Sequence, residues 1–594
     1  MTTITAPVAS ARRLRAARVL EIPDVAALVG LTVLVAALAA VTWATWGDIG
    51  SDTGYDLVAG ARLSHGQLPY VDYTYYYGPL APAVVAVADL LFGVGIGAAV
   101  ALGIVISAGI VGATYALARA LTGPVGAFAA ASLTAAVAFA PNNLSFVLPY
   151  TESTTLAVLL TLLTLVSLER LFRGGRLRAA AAAGVCAGLV ALTRPEFEVA
   201  VLLAFAVALV LRHRAGVLHR REVLAVAIPA IGIPACTYAV FAALTSVHRL
   251  LFSNLYPLHE LHAGGSKIVR TQAPLTIGSV VSLGEKLVLY AIGIGALLLA
   301  ARALQSRLRR IALIALVVVG AGFLGALVAR PDSIRHWLEF AFGWIPAGVL
   351  VAAVWLGRRA FRERKISAAR DVALLSMVVL AVLGLKTYAA FYFFAPNPQY
   401  AMFAAPFAAI FLARLHLVEL VRSRRAFVLG SAWLLLLVTA GTALAMHDGA
   451  AKSGRVSGPG GAMAAVPAQA AVYQSAVSWI QRETSPGDPI LLAPQLTSLY
   501  ILSGRADPLK QIQLLPIALP RVQDERAAIV ALERARVHLA IIDRHAFPEY
   551  GHTVFGGSFD RLLARWVHRN FDRVATLGGP HAGRTLDVWV RSAS

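Results

Sequence analysis

Residues 25–46, VAALVGLTVLVAALAAVTWATW, run directly into residues 47–80, GDIGSDTGYDLVAGARLSHGQLPYVDYTYYYGPL. The first stretch carries no charge and matches the ~20 apolar residues that cross a bilayer as a helix. Arg12, Arg13, Arg15 and Arg18 precede it. It is too long for a signal-peptide core and no small-residue cleavage site follows, so it reads as a first span. The second stretch has the opposite character. It holds Asp48, Asp52, Asp56 and Asp72, with Tyr70, Tyr73, Tyr75, Tyr76 and Tyr77 among turn-forming Gly and Pro. Tyrosine is favoured at headgroup depth, but acids there are repelled by anionic lipid. A loop rich in both predicts a binding or catalytic site on the outer face.

Composition extends the reading to the whole chain. Of 594 residues, 58% are hydrophobic and 14% charged, with mean hydropathy +0.72. Soluble domains run at about 45–50% apolar and about 25% charged, which excludes a cytosolic multidomain enzyme and a disordered chain. The net charge of +21 sits in short bursts between apolar runs. Without a basic face interleaved with aromatics this predicts membrane orientation and no nucleic acid. Cys186 and Cys236 lie within apolar runs, with no disulfide framework or metal spacing.

The expected fold is an all-α polytopic membrane protein of about thirteen transmembrane helices over residues 25–446. After the first, spans are expected near 97–118, 124–140, 153–168, 179–193, 196–211, 223–246, 286–304, 311–329, 338–357, 372–388, 400–418 and 426–446. Bursts such as Arg170, Arg173, Arg176 and Arg178, or Arg358, Arg359, Arg362, Arg364 and Lys365, fall on alternate loops. They put the N-terminal segment 1–24 in the cytoplasm and everything after Met446 outside. Residues 447–467 read as a Gly/Ser/Ala-rich linker. Residues 468–594 alternate β-rich runs with helical patterns, the signature of a small extracytoplasmic α/β domain. Neither a Gly-rich phosphate loop nor an internal repeat stands out.

Further candidates lie at span ends. Glu152 opens a span, where a carboxylate is costly unless paired or wet. Arg194, Arg330 and Lys386 are cations placed to face a phosphate. Arg330 leads, because a guanidinium fork suits phosphate and Arg335 and His336 follow closely. Lys267 and Arg270 sit in the long loop 247–285. His259 and His262 lack a third ligand for a metal. Asp56 is expected to cap or face water from the helix that follows it.

Asp52-Thr-Gly-Tyr55-Asp56, Leu63…Gly66…Pro69-Tyr70-Val-Asp72, Gly78-Pro79-Leu80 and Leu91-Phe92-Gly93 together resemble the start of GT-C glycosyltransferases. Similar bacterial members include protein mannosyltransferases and the aminoarabinose transferase of lipid A. The chain has Asp52-Thr53 where that family often has two adjacent acids. The resemblance implies a GT-C-like fold whose first outer loop forms a helix along the membrane. It implies an inverting transfer of a sugar from a polyprenyl-phosphate donor to an acceptor hydroxyl, at the outer face of a bacterial plasma membrane. The acceptor would be a glycan, lipoglycan or protein. Asp52 would be the general base. Asp72 would orient the acceptor or, with Asp52, hold a divalent cation such as Mg or Mn. Tyr55, Glu152, Arg194, Arg330, His336 and Lys386 would contact substrate. The competing expectation is a transporter or flippase of lipid-linked sugars. It needs ionisable groups at midplane depth, whereas this chain keeps its charges at span ends.

Overall fold

The computed structural model describes residues 22–141, 145–174, 177–255, 307–390, 404–418, 424–547 and 553–592, with scattered positions between 276 and 303. The expected span at 286–304 falls mostly outside the described residues, as do His259, His262, Lys267 and Arg270. The protein is a membrane protein. Among the described residues five helices are long and apolar enough to cross a bilayer: Asp24–Val41, Ile96–Leu121, Glu152–Phe172, Arg220–Leu244 and Arg310–Ala329. Thirteen were expected. Several of the others are short, such as Pro124–Ala138 and Leu177–Val190 at 15 and 14 residues.

Ten helices in chain order lead to the end of the first described half. They are α1 (Ile22–Val41), α2 (Thr53–Ser64), α3 (Leu80–Phe92), α4 (Ile96–Leu121) and α5 (Pro124–Ala138), then α6 (Glu152–Phe172), α7 (Leu177–Val190), α8 (Pro195–Arg214), α9 (Arg220–Leu244) and α10 (Val247–Asn254). α1 stops five residues before the expected end at Trp46. The Thr42 hydroxyl donates back to the Leu38 carbonyl at 2.7 Å, and Ala44 takes a positive φ of 63°. The chain then turns and buries Trp46, whose indole N–H donates to the Phe139 carbonyl at 3.3 Å. α8 carries Glu196 and Glu198 in its first turn and Arg212, His213 and Arg214 in its last, each matched to the helix dipole.

The second span opens where expected, with α4 starting at Ile96, and the stretch before it, from Leu80, is the 13-residue helix α3, which stops at Phe92 with Gly93 as its cap. Both α2 and α3 therefore lie between the first two spans.

Helices Arg309–Ala329, Pro331–Glu363, Ala368–Ala390, Ala405–Val418 and Arg424–Ala451 follow. The stretch 447–467, expected as a linker, is regular structure. The last of these helices runs to Ala451, and β1 (Gly454–Gly458) pairs antiparallel with β2 (Gly461–Ala465). Val456 and Met463 face each other in register and are buried, a period-2 pattern hidden among glycines. Beyond lies a four-stranded sheet of order β3-β4-β6-β5, formed by β3 (Leu491–Ala493), β4 (Leu539–Asp543), β5 (Phe571–Gly579) and β6 (Arg584–Arg591). β3 and β4 are parallel and the other pairs antiparallel. Helices Pro467–Glu483, Thr497–Ser503, Val522–Arg534 and Arg561–Asn570 accompany the sheet.

This C-terminal part is tied to both ends of the first loop. Lys452 Nζ donates to the carbonyls of Thr45 at 3.0 Å and Gly47 at 2.6 Å, and Ala464 N–H donates to the Ala44 carbonyl at 3.0 Å. At the far end, Ile96 N–H donates to the Gly460 carbonyl at 2.8 Å. In between, the start of α2 presses on the helix Thr497–Ser503. A Cβ on Gly54 would stand 2.2 Å from the Ser498 nitrogen, closer than any real contact. Gly54→Val is therefore expected to push the two apart at a cost of about 1–3 kcal/mol. The measurement is a lower melting temperature in detergent, with faster proteolysis within 454–592; an unchanged melt and cleavage pattern would contradict this packing.

Candidate functional site

The site is built where α2, the tyrosine run and the starts of α6 and α8 meet. Asp56, in the first turn of α2, is completely buried. Its Oδ1 accepts from the Tyr75 hydroxyl at 2.6 Å; its Oδ2 accepts from the Thr151 hydroxyl at 2.7 Å and the Ser153 N–H at 3.2 Å. It neither caps its helix nor faces water, contrary to expectation: its bonds hold α2 to the tyrosine run and to the start of α6. Burial, and after it Asp56, keep the Tyr75 phenol protonated far above its usual range.

Arg194 is the next layer. It precedes Pro195, the first residue of α8, where proline's fixed φ suits a helix start. The preceding backbone is fixed by Gly78-Pro79-Leu80: Gly78 N–H donates to the Thr193 carbonyl at 2.8 Å and Leu80 N–H to the Leu192 carbonyl at 3.0 Å. A Cβ on Gly78 would meet the Leu192 carbonyl carbon at 2.2 Å, so the close approach requires glycine. Arg194 is buried. Its Nε donates to the Ser153 hydroxyl at 3.1 Å; its Nη1 donates to the Tyr150 hydroxyl at 3.0 Å and to Glu196 at 3.3 Å. The guanidinium lies 4.0 Å over the Tyr77 ring, a cation–π contact.

Asp52 sits at the N-cap of α2, half-buried. An aspartate there usually accepts from its own helix; this one makes no such bond. Instead Oδ1 accepts from Gln513 Nε2 at 2.9 Å and from Gln495 Nε2. Burial pushes its carboxyl above the ordinary carboxylate range. The two amides and Arg194 pull it back, and Asp56 adds to the push.

The other expected residues fall in varied places. Tyr55 is buried and stacked on Tyr75 and Tyr76, with centroids 5.5 and 6.1 Å apart; its hydroxyl accepts from Tyr76 N–H at 3.1 Å. It packs the loop, its ring covered by its tyrosine neighbours. Asp72 is exposed and closes its own turn, accepting from Leu68 N–H at 2.7 Å. Glu152 begins α6, is buried beside Asp56, and neither of its oxygens is hydrogen-bonded among the described residues. Arg330 is exposed at the junction of Arg309–Ala329 and Pro331–Glu363. Its neighbour Arg335 pairs with Asp448. His336 and Lys386 occupy helical backbone positions, and their side chains lie outside the described residues. Of the expected set, the structure gathers Asp52, Glu152 and Arg194.

Of the two carboxylates expected to share a cation, Asp52 presents Oδ1 to two amide donors and Asp72 accepts from the N–H of its own turn. Among the described residues no group of three or more His, Cys, Asp or Glu side chains is placed to hold a metal ion.

Residues 77–238 match the family described as dolichyl-phosphate-mannose-protein mannosyltransferase. The chain is similar to glycosyltransferases of the GT-C type. The matched stretch contains Gly78-Pro79-Leu80, Glu152 and Arg194, and begins after Asp52. No curated protein sequence matches the chain. Similar solved structures include the Archaeoglobus fulgidus oligosaccharyltransferase complex with Zn and sulfate (TM-score 0.44, 14% identity, 83% of this chain covered). This chain spans 64% of that protein's length. The same enzyme tethered to an acceptor peptide containing the NVT sequon gives TM-score 0.46 and 13% identity, over 96% of this chain and 74% of that one. ArnT from Cupriavidus metallidurans bound to undecaprenyl phosphate gives 0.41 and 15%, over 94% and 97%.

Gln495 and Gln513 had no signal in the sequence; they reach Asp52 from 443 and 461 residues away. Tyr150, Thr151 and Ser153 adjoin Glu152 and were overlooked because hydroxyls carry no charge pattern. The buried and exposed acids should separate in stability. Asp56→Ala strands three donors and is expected to cost about 3 kcal/mol; Asp72→Ala, in an exposed turn, about 1 kcal/mol or less. Thermal melts of the detergent-solubilised variants check the order, and equal losses would refute it.

Proposed function

We propose that the protein is a membrane glycosyltransferase that moves a sugar from a polyprenyl-phosphate donor to an acceptor hydroxyl at the outer face of a bacterial plasma membrane. The observation that carries this reading is Asp52: a half-buried carboxylate outside the spans, one oxygen held by two amides and raised in proton affinity by burial. The match over residues 77–238 supports the reaction class.

The chemistry follows from the groups present. The acceptor oxygen attacks the anomeric carbon from the face opposite the phosphate, inverting it. The bond from that carbon to the phosphate oxygen breaks, and its electron pair leaves with the polyprenyl phosphate. The acceptor's proton passes to Asp52, a step worth about 10²–10⁴-fold. Arg194 is the cation that acts on Asp52, and its charge also favours an anionic leaving group nearby. It takes the place first expected for Arg330. The acceptor is a glycan, lipoglycan or protein, the N-terminus cytoplasmic and the C-terminal part extracytoplasmic, in keeping with the alternating arginine bursts.

Transfer from a polyprenyl-phosphate sugar, measured in proteoliposomes, is the test. Asp52→Asn is expected to lower the rate by about 10²-fold or more while donor binding persists; unchanged transfer would reject Asp52 as base. Because burial raises Asp52's affinity for its proton, the base is lost as pH falls through a value above the ordinary ~4. The acid limb of the pH–rate profile should lie above that value, and a limb at or below it would count against the assignment. Export of donor without transfer would favour the flippase.

A further inference from the structure

We infer that Gln495 and Gln513 are positioning residues for the base: they fix Oδ1 of Asp52, direct Oδ2 at the acceptor, and so make the C-terminal segment part of the catalytic unit. The inference rests on the reading of the chain as a sugar transferase.

Three observations converge on it. First, Asp52 precedes α2 with helical backbone angles (φ −71°, ψ −7°) and makes no cap bond to its own helix. Its side chain turns away from α2 to the amides. Second, both amides donate to the same oxygen, and Oδ2 has no hydrogen bond among the described residues. A carboxylate gripped at one oxygen has its rotation fixed, so the free oxygen points one way, which is the requirement for a base acting in a defined geometry. Third, the grip is itself braced. Gln513 is buried, and its neighbour Leu514 donates its N–H to the Pro494 carbonyl at 2.9 Å, coupling the two glutamine-bearing loops. Gln495 lies just before the helix whose first residues meet Gly54, so the depth of α2 is set within van der Waals contact. On the other flank Arg62 Nη1 donates to the Leu509 carbonyl at 2.6 Å, and Thr74 N–H to the Lys510 carbonyl at 2.7 Å.

The choice of amide is chemically apt. A lysine or arginine at this distance would hold the carboxylate equally well but depress its basicity strongly. An amide donates without net charge, so the oxygen is oriented and the base stays serviceable. The charged groups acting on Asp52 are Arg194, which favours the ionised form, and Asp56, which opposes it. Neither belongs to the C-terminal segment.

The test combines a contact measurement that needs no activity with kinetics. In full-length protein, Asp52→Cys paired with Gln513→Cys should be bridged by a short bifunctional thiol reagent that spans the two vanished side chains, since a direct disulfide needs closer Cβ atoms than this contact supplies, and failure to cross-link would overturn the inference. Gln495→Ala with Gln513→Ala should lower kcat by about ten- to a hundredfold with little change in donor KM. The acid limb should move to higher pH, because donors to the ionised form are lost. Gln513→Glu should move it further in the same direction. In the Asp52→Asn background the glutamine changes should add nothing. A loss of kcat with an unmoved pH profile, or full additivity with Asp52→Asn, would show scaffolding only and sink the proposal. If the cross-link forms but the unaltered protein transfers no sugar, the contact is real while the sugar-transferase reading fails, and the proposal falls with it.

Discussion

A carboxylate sealed from water must find enough donors or give up its charge. Asp56 meets this condition with three, from the tyrosine run, from Thr151 and from the Ser153 backbone. Those donors come from segments separated by tens of residues, so satisfying one side chain closes the loop against the start of a span. Ser153 is shared: its backbone serves Asp56 while its hydroxyl accepts from Arg194. The position of the buried cation is thereby linked to that of the buried anion. Asp52, one helical turn earlier, takes its place from the same framework without contributing to it.

The division of labour between Asp52 and Asp56 is a matter of surroundings. Both lie at the start of α2, four residues apart and hence on one face. Asp56 already accepts three donors within the fold, at both of its oxygens. Asp52 keeps an oxygen in reserve. Two identical groups thus become a structural anchor and a carboxylate with an accepting oxygen to spare, as expected where environments rather than residue types set the role.

How much of this could be read from the sequence follows from what each pattern encodes. The apolar run to Trp46, the acid-and-tyrosine loop and Gly78-Pro79-Leu80 announce a membrane chain with a loop-borne site, because span length and turn chemistry are local. Hydropathy places the next span near residue 97 but leaves the short helix α3 before it unassigned, since 13 largely apolar residues are too few to cross a bilayer. A carboxylate four residues after Leu68 can close a turn as readily as bind a ligand, and the sequence around Asp72 carries no sign of which. The resemblance favours Asp52 over Asp56 as base, but the partners that give each its surroundings lie 95 and more than 440 residues on. The strand alternation of β1 and β2 was masked by glycines that the turn and close packing require.

The separation along the chain between Asp52 and Gln513 carries a consequence for biogenesis. At translation rates of about 5–20 residues per second, the 461 intervening residues take on the order of half a minute or more to emerge. During that interval the early loop is already inserted, with its acids and aromatics exposed and its final neighbours unmade. The protein's maturation is thus timed by the ribosome reaching the last quarter of the message, and quality-control factors have a defined window in which to guard an unfinished loop.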